Sequence, residues 1–359
     1  MPADGEVPFS CDAFLRLPSS DRLTWVIESK GYRNPQPGRL SLFLMFARPR
    51  VCVAGALAFY LAWVYAGQSQ SWKMVVGMAI AFLLNAIANL FNMYTDIYED
   101  NENIPVRLFY IGLYGRQALL RHTYAVCIAM VVIAISVSPA FLVAVIGGII
   151  GTQQYSFGPL RIKRRPILAV GLFAMAVGYP YLTVLTIVPN GVELLRNRHF
   201  IMMVAYLFLW LCCAVVLINN VADYHGDRRA KILTSATLAR SRTRAAVVAA
   251  IAAIAVYLGL PIFVCIGGLP MRLLWSLLWL LPAVWVCGRL VRYDDPKRTN
   301  DALRDNVVVQ HGFLATLTLL SSFTAATVLI LILGATIIIA ADVLKLDTRR
   351  REDVKSHNL

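Results

Sequence analysis

The sequence is poor in charged residues. Asp, Glu, Lys and Arg make up only 15% of its 359 residues, whereas 58% are hydrophobic. Soluble domains usually carry about 25% charged residues. The low charge and the repeated apolar runs of about 20 residues exclude an ordinary soluble protein and predict a polytopic membrane protein. No secretory signal peptide is expected, because the first long apolar run begins only after about forty residues.

Acidic residues are scarce as well, with 20 Asp and Glu against 34 Lys and Arg and a net charge of +14. In a membrane protein this excess is typical of cytoplasmic loops beside anionic lipid, so no nucleic-acid partner is expected. The seven Cys form no CxxC pair, and most lie in apolar runs as small core residues. The sequence contains no HExxH, P-loop, GxGxxG or Ser–His–Asp signature.

Nine apolar runs predict an all-α integral membrane bundle of about nine transmembrane helices, because unpaired strands cannot lie in hydrocarbon. The runs are centred in residues 51–67, 73–95, 118–138, 139–156, 166–188, 200–221, 244–267, 272–290 and 313–342. We predict a cytoplasmic N-terminal tail at 1–45 with a possible interfacial helix, a transmembrane domain at 46–342 and a basic C-terminal tail at 343–359.

Two acidic arrays close the second and the sixth apolar run. Each has the spacing N-x-x-x-D-x-x-x-D, and the two arrays begin 127 positions apart. On a helix, residues four apart lie on one face, so each array predicts a row of oxygen-bearing side chains. The first row is Asn92, Asp96 and Asp100, and the second is Asn219, Asp223 and Asp227.

Carboxylates at this spacing repel each other unless a cation lies between them. Asp and Asn offer hard oxygen ligands, which suit Mg²⁺, and Mg²⁺ readily shares its coordination shell with phosphate oxygens. Two facing arrays therefore predict Mg²⁺ around a diphosphate, where the metal would neutralise the leaving group as a carbon–oxygen bond breaks. An allylic diphosphate treated in this way yields a carbocation.

The arrays resemble the paired aspartate-rich motifs of the UbiA superfamily of intramembrane prenyltransferases. A third block, beginning Tyr155-Ser-Phe-Gly-Pro-Leu-Arg161-Ile-Lys163, resembles the Tyr-Ser-x-Pro-Pro-Leu-Arg-x-Lys loop of that family. The second array, with the residues that flank it, is similar to the menaquinone-type branch. The likeness covers roughly residues 46 to 340.

The resemblance implies a helical bundle around a central cavity, a polyprenyl diphosphate substrate, a hydrophobic acceptor and Mg²⁺ as cofactor. Asp96, Asp100, Asp223 and Asp227 would hold the metal and act in catalysis, and the ring of Tyr155 would face the carbocation. The candidates for substrate binding are polar or basic residues near the arrays: Asn92, Asn219, Arg107, Arg161, Lys163, Arg228 and Lys231.

Three departures from the family pattern leave a related activity open. NENIPVRLFYIG follows the first array in place of the usual Arg-Pro-Leu-Pro-Ser-Gly, Ala222 replaces an Arg, and Lys231 replaces a Gly. The alternative is a UbiA-type terpene cyclase, in which the cation is attacked by its own chain and no acceptor is needed. A third class, a transporter with an acidic ion path, is also considered.

Lys and Arg predict the orientation. With the N-terminus in the cytoplasm, 25 of the 34 basic residues lie on the cytoplasmic side together with both arrays and the Tyr155–Arg165 loop. With nine spans the basic C-terminal tail would lie outside, and a tenth crossing would return it to the cytoplasm. Asp301 and Asp305 repeat the i, i+4 spacing without an apolar run before them and are interpreted as a solvated helix start, while His225 points away from the array face.

Overall fold

The structure is a computed structural model that describes residues 37–349 and, before them, Asp21. Every regular element within these residues is helical. Residues 37–349 contain sixteen α-helices, numbered here in chain order: α1 Arg39–Ala47, α2 Pro49–Tyr65, α3 Trp72–Thr95, α4 Ile97–Asn103, α5 Val106–Tyr114, α6 Arg116–Ile135, α7 Pro139–Ser156, α8 Pro166–Thr183, α9 Arg198–Trp210, α10 Leu217–Ala222, α11 Tyr224–Arg229, α12 Arg242–Leu258, α13 Leu260–Gly267, α14 Leu280–Arg292, α15 Pro296–Ser321 and α16 Ala325–Val343.

Shorter helical turns join some of these elements into longer segments. A π-helix at Leu211–Val216 connects α9 to α10, and 3₁₀ turns occupy Ile162–Arg164, Val184–Thr186, Gly191–Arg196 and Met271–Trp279. Several helices begin where the sequence supplies a cap or a proline. The hydroxyl of Ser138 accepts a hydrogen bond from the Phe141 N–H at the start of α7, for example, directly before Pro139.

Seven of the described helical segments are long and apolar enough to cross a membrane, and the pair α1–α2, bent by 51°, would make eight. Arg48 lies at this bend in the left-handed backbone region. The expectation of an all-α multi-pass membrane protein is therefore confirmed. The expected count of nine transmembrane helices is not confirmed, because α7, which corresponds to the run at 139–156, is not among these segments, and the run at 51–67 qualifies only together with α1.

The run expected at 313–342 is two helices, α15 and α16, separated at Ser322–Thr324. At the far end of α2, Ser321 donates a hydrogen bond to the Tyr65 hydroxyl (3.4 Å). At the other end of α2, Arg50 forms an ion pair with Asp342 of α16 (2.8 Å). The chain thus travels out along α15 and back along α16, and residues 344–349 lie at the same end of the bundle as Arg50.

The helix α15 begins in a polar stretch, yet its polar side chains point into the bundle. Asn300, Asn306, Gln310 and His311 are all buried. The Asn306 side-chain amide donates to the Ala214 carbonyl (3.0 Å), which lies in the π-helical turn between α9 and α10. Because buried polar groups require such partners, this helix reads as polar in sequence although it packs in the core.

Two apolar clusters surround the arrays. The larger cluster fills the bundle between α2, α3, α8, α9, α12 and α15. The smaller cluster packs α1 and α5 against the C-terminal half of α3, and it includes Leu346 from the segment after α16. The predicted N-terminal tail at 1–45 lies outside the described residues up to residue 36, apart from Asp21, and so does the part of the C-terminal tail from residue 350 onward.

Candidate active site

Both acidic arrays break their helix at the same position. The helix α3 ends at Thr95, Asp96 takes a non-helical conformation, and α4 begins at Ile97. In the second array α10 ends at Ala222 and α11 begins at Tyr224, on either side of Asp223. The backbone hydrogen bonds from Asp100 N–H to Asp96 O and from Asp227 N–H to Asp223 O keep the i, i+4 spacing. The repeated sequence pattern therefore corresponds to a repeated local structure.

The two arrays meet through α4 and α11. The Asn103 side-chain amide donates a hydrogen bond to the Asp227 carboxylate (3.3 Å). Gly226 permits this approach, because a Cβ atom there would lie only 1.8 Å from the Asn103 Oδ1 atom. Tyr155, at the end of α7, lies within electrostatic range of both Asp96 and Asp227. The structure thus brings residues of both arrays and the third sequence block to one end of the bundle.

The first array has two basic partners. Lys163 contacts the Asp96 carboxylate and also lies 3.5 Å from Glu99. Arg107 forms an ion pair with Asp100 (2.6 Å). Arg161 lies near Glu99, and its buried Nε atom has no hydrogen-bond partner in the described structure. The basic residues predicted around the first array therefore surround its carboxylates.

The second array has a different kind of partner. Asp223 is in contact with Arg349, which lies more than a hundred residues further along the chain. The predicted residues Arg228 and Lys231 are exposed, and Arg228 donates to the Tyr224 hydroxyl (2.8 Å). Within the described residues, neither Arg228 nor Lys231 forms an ion pair with an array carboxylate. Their role as diphosphate ligands stays a prediction.

Burial shifts the pKa of Asp100 and of Asp227, which lie beyond the ends of the spanning helices. It raises the pKa of Asp100 to about 7, while the positive charge of Arg107 acts in the opposite direction. Burial, reinforced by the charge of Asp223, also holds the pKa of Asp227 well above its usual value. Carboxylates that resist losing their protons in a dry cluster gain most from a nearby cation, because an opposite charge compensates the desolvation of the anion.

The remaining polar residues of the predictions lie in clear positions. Asn92 accepts a hydrogen bond from the Ser156 hydroxyl, which ties the first array to α7. Asn219 is partly buried in α10. His225 contacts Asp294 (2.8 Å), and Asp305 pairs with Arg289, so both of these side chains interact away from the array carboxylates.

Several residues of the site were missed by the sequence interpretation. Glu99 lies between the two aspartates of the first array, and Asn103 follows them by one helical turn, so the repeated helical spacing could have found Asn103. Thr348 and Arg349 carry no local signal at all. Their positions follow only from the return of α16 to this end of the bundle.

The donor set suits a hard divalent cation. Within the described residues, three buried carboxylate oxygens have no hydrogen-bond partner: Oδ2 of Asp100 and both oxygens of Glu99. Among residues 37–349 no three His, Cys, Asp or Glu side chains are placed to enclose a metal ion by themselves. A cation held here would complete its coordination shell with ligands from outside the protein, which is how Mg²⁺ binds with phosphate oxygens.

A membrane bundle with two acidic helix breaks at one end, surrounded by Lys and Arg, defines a class of intramembrane proteins with a site for a cation and an anion together. The family model described as UbiA prenyltransferase family matches residues 52–314. The chain therefore belongs to the UbiA prenyltransferase family. Comparison with curated protein sequences gives no match.

Solved structures agree on the fold. A digeranylgeranylglyceryl phosphate synthase has a TM-score of 0.55 at 12% identity, with 79% of this chain and 98% of that chain covered. A UbiA homologue from Aeropyrum pernix K1 has a TM-score of 0.52 at 15% identity, covering 74% and 96% of the two chains. A UbiA homologue from Archaeoglobus fulgidus, bound to GPP and Mg²⁺, has a TM-score of 0.50 at 16% identity, covering 83% and 99%.

Proposed function

We propose that this protein is a Mg²⁺-dependent intramembrane prenyltransferase that ionises a polyprenyl diphosphate and transfers the prenyl group to a hydrophobic acceptor. The observation that carries the proposal is the meeting of the two arrays, joined by the hydrogen bond from Asn103 to Asp227. Family membership and the Mg²⁺ and GPP bound by the Archaeoglobus fulgidus homologue support the same chemistry.

The carboxylates of Asp96, Asp100, Asp223 and Asp227 would hold Mg²⁺, with Glu99 beside them. When bound, the metal would neutralise the diphosphate as its bond to the prenyl carbon breaks. Lys163, Arg107 and Arg161 lie where they can bind and orient diphosphate oxygens by charge-assisted hydrogen bonds. The ring of Tyr155, beside both arrays, would face the positive charge that develops on the prenyl chain.

The membrane placement follows from the same arrangement. A polyprenyl chain is apolar, and the arrays lie at the ends of long apolar helices, so the diphosphate would remain at the membrane surface while the chain extends into the bundle. The basic loops at the array end favour the cytoplasmic side for the active-site loops and the N-terminus. The clustering of the carboxylates at one end, with none of the arrays at mid-depth, disfavours a transporter path.

The segment after the first array bears on whether the reaction needs an acceptor. This segment, which departs from the family pattern, contributes Asn103 and Arg107 to the site. Residues that depart from the family pattern therefore lie beside the proposed diphosphate site. For this reason the terpene cyclase alternative is tested directly.

Purified protein should be incubated with Mg²⁺ and a panel of allylic diphosphates, first without and then with aromatic and isoprenoid acceptors. We expect little turnover until an acceptor is supplied, and complete loss of activity with a chelator that excess Mg²⁺ reverses. A cyclic hydrocarbon formed without an acceptor would identify a cyclase. No release of diphosphate from any substrate, together with ion uptake in proteoliposomes, would refute both enzymatic assignments.

A further inference from the structure

The C-terminal segment after α16 forms part of the candidate active site. Residues 344–349, here called the C-terminal strap, run from the end of α16 across the arrays. Thr348 is fully buried and accepts a hydrogen bond from Arg107 (2.9 Å), the same arginine that pairs with Asp100 of the first array. Arg349 contacts Asp223 of the second array and lies within electrostatic range of Asp227. The strap therefore contacts the second array directly and the first array through Arg107.

The strap is held in place by contacts that do not involve the arrays. Leu346 is buried in the smaller apolar cluster. Asp347 is buried between Arg48 (3.3 Å) and Arg50 (3.6 Å), at the bend between α1 and α2. Burial acts to raise the pKa of Asp347, but these arginines together with Arg107 and Arg349 outweigh it and lower the pKa. Asp347 is thus a stable anion that fixes the strap.

Two hydrogen bonds at the end of the strap orient Arg349. Its backbone N–H donates to the Asp347 carboxylate (3.1 Å), and its carbonyl accepts from the Asn300 side chain of α15 (3.4 Å). The Arg349 side chain is only 11% exposed, which is unusual for an arginine close to a chain end. These backbone contacts therefore hold the Arg349 guanidinium against the second array.

We propose that Arg349 is a substrate-binding residue that donates to the diphosphate from the side of the second array. This inference rests on the proposed function. Lys163 and Arg107 supply cations on the side of the first array, whereas the cations expected on the side of the second, Arg228 and Lys231, are exposed. Arg349 takes the position that those residues leave open.

The contact between Arg349 and Asp223 is consistent with such a role. Asp223 would give the metal the carboxylate oxygen that Arg349 contacts here, and the guanidinium would then donate to diphosphate oxygens instead. Arginine suits this exchange because its planar fork binds phosphate as well as carboxylate, often through two hydrogen bonds. Arg349 can therefore bind a ligand in addition to forming its ion pair with Asp223.

The test measures binding without turnover. The affinity of the full-length protein for inorganic pyrophosphate in the presence of Mg²⁺ is determined by calorimetry for the wild type, Arg349→Ala, Arg349→Lys and Lys345→Ala. Lys345 is the matched control, since it carries the same charge on the same strap and is exposed. We expect Arg349→Ala to weaken pyrophosphate binding by about tenfold to a hundredfold, the loss of one charge-assisted contact. Arg349→Lys should recover part of the affinity, and Lys345→Ala should bind as the wild type does.

Two results would overturn the proposal. An unchanged affinity in Arg349→Ala would make the residue structural, and a tighter affinity would make the strap an inhibitory plug over Asp223. Thermal melting without ligand is recorded for each variant, and if Arg349→Ala does not fold, Arg349→Gln takes its place in the same titration. A wild type that binds pyrophosphate and turns over allylic diphosphates, beside an unaffected Arg349 variant, would refute this inference alone. A wild type without turnover would refute the proposed function.

Discussion

The two acidic arrays have the same residues, the same spacing and the same helix break, yet they obtain their positive charges differently. The first array is paired with Arg107, seven residues after Asp100, and with Lys163 from the loop after α7. The second array is paired with Arg349, near the end of the described chain. The likeness is local, because it comes from sequence pattern. The difference is tertiary, because it depends on where distant helices end.

This difference shows which parts of the site are organised independently. The first array, its basic loop and Tyr155 form a unit within about seventy residues of one another. The second array depends on the return of α16 to the same end of the bundle. Substitutions that separate the local from the tertiary contribution therefore test whether the arrays act as equal halves of one site.

The largest effect is expected from removing charge from the arrays themselves. Asp96→Asn and Asp223→Asn keep the size of the side chain but weaken a metal ligand where leaving-group charge develops. Losing one such electrostatic stabiliser typically lowers the turnover number by about 10²–10³. The effect should fall on kcat rather than on KM, because the charge is greatest in the transition state.

The measurement is product formed per folded protein, with melting temperature recorded for each variant. Equal losses in the two variants would show that the arrays contribute equally, whereas a large loss in Asp96→Asn alone would confine the metal to the first array. Near-normal turnover in both variants, or lost stability with normal turnover of the folded fraction, would contradict the metal–diphosphate mechanism.

A smaller effect is expected from the lysines that flank the arrays. Lys163 contacts Asp96 and lies beside Glu99, while Lys231 is exposed behind the second array. Lys163→Ala should lower kcat/KM for the diphosphate substrate by about tenfold to a hundredfold, the value of one charge-assisted contact. Lys231→Ala is the matched control and should stay within about twofold of the wild type, because an exposed charge contributes little.

Steady-state kinetics over a range of substrate concentrations distinguishes the two lysines. If Lys231→Ala raised KM as much as Lys163→Ala, the second array would have a local cation after all, and Arg349 would lose its assigned position. Equal, unchanged kinetics in both variants would reduce the loop lysines to a role in membrane orientation.

The lysines also show how far the sequence alone could predict the structure. The helical fold, the two arrays and the first array's basic partners followed from apolar runs, spacing and nearby loops, all of which are local features. Lys231 had the right charge at the right distance along the chain, but the turn after α11 leaves it exposed. Arg349 could not be found in this way, because its place depends on the direction of two helices.

The prediction of a single helix at 313–342 also differs from the structure, for a related reason. The first half of α15 is polar, and the sequence predicts a solvated helix start there, although residues such as Asn306 point inward and donate to the Ala214 carbonyl. Period and hydropathy describe how a helix meets lipid, and α15 mainly meets other helices. Because α15 and α16 run in opposite directions, residues 344–349 lie at the array end of the bundle, where Arg349 contacts Asp223.

The third effect in size is expected from a change at the contact between the arrays. In Gly226→Ala the new Cβ would overlap the Asn103 amide, so α4 and α11 must separate and the hydrogen bond from Asn103 to Asp227 must lengthen or break. Overpacking of this kind costs about 1–3 kcal/mol in the free energy of unfolding. We expect a lower melting temperature and a lower kcat. Gly288→Ala, which meets no atom within 4 Å, is the matched control and should keep kcat without lowering the melting temperature, because Ala favours a helix more than Gly does. Unchanged values in Gly226→Ala would mean that the arrays need no close contact.

The smallest effect is expected from a pair of carboxylates that share the spacing of the arrays but not their surroundings. Asp301 and Asp305 lie four residues apart in α15. Asp305 forms an ion pair with Arg289, and the Asp305 side chain is 41% exposed. An exposed ion pair contributes about 0–1 kcal/mol, so Asp305→Asn should lower the melting temperature slightly or not at all. Asp301→Asn and Asp305→Asn should both keep kcat within about twofold of the wild type, because the contacts described for the array carboxylates include neither residue. The turnover number and the melting temperature of both variants are measured alongside those of Asp96→Asn. A hundredfold loss in Asp301→Asn would place α15 in the catalytic site and would mean that helical spacing, rather than the meeting of the two arrays, marks the acidic residues that matter.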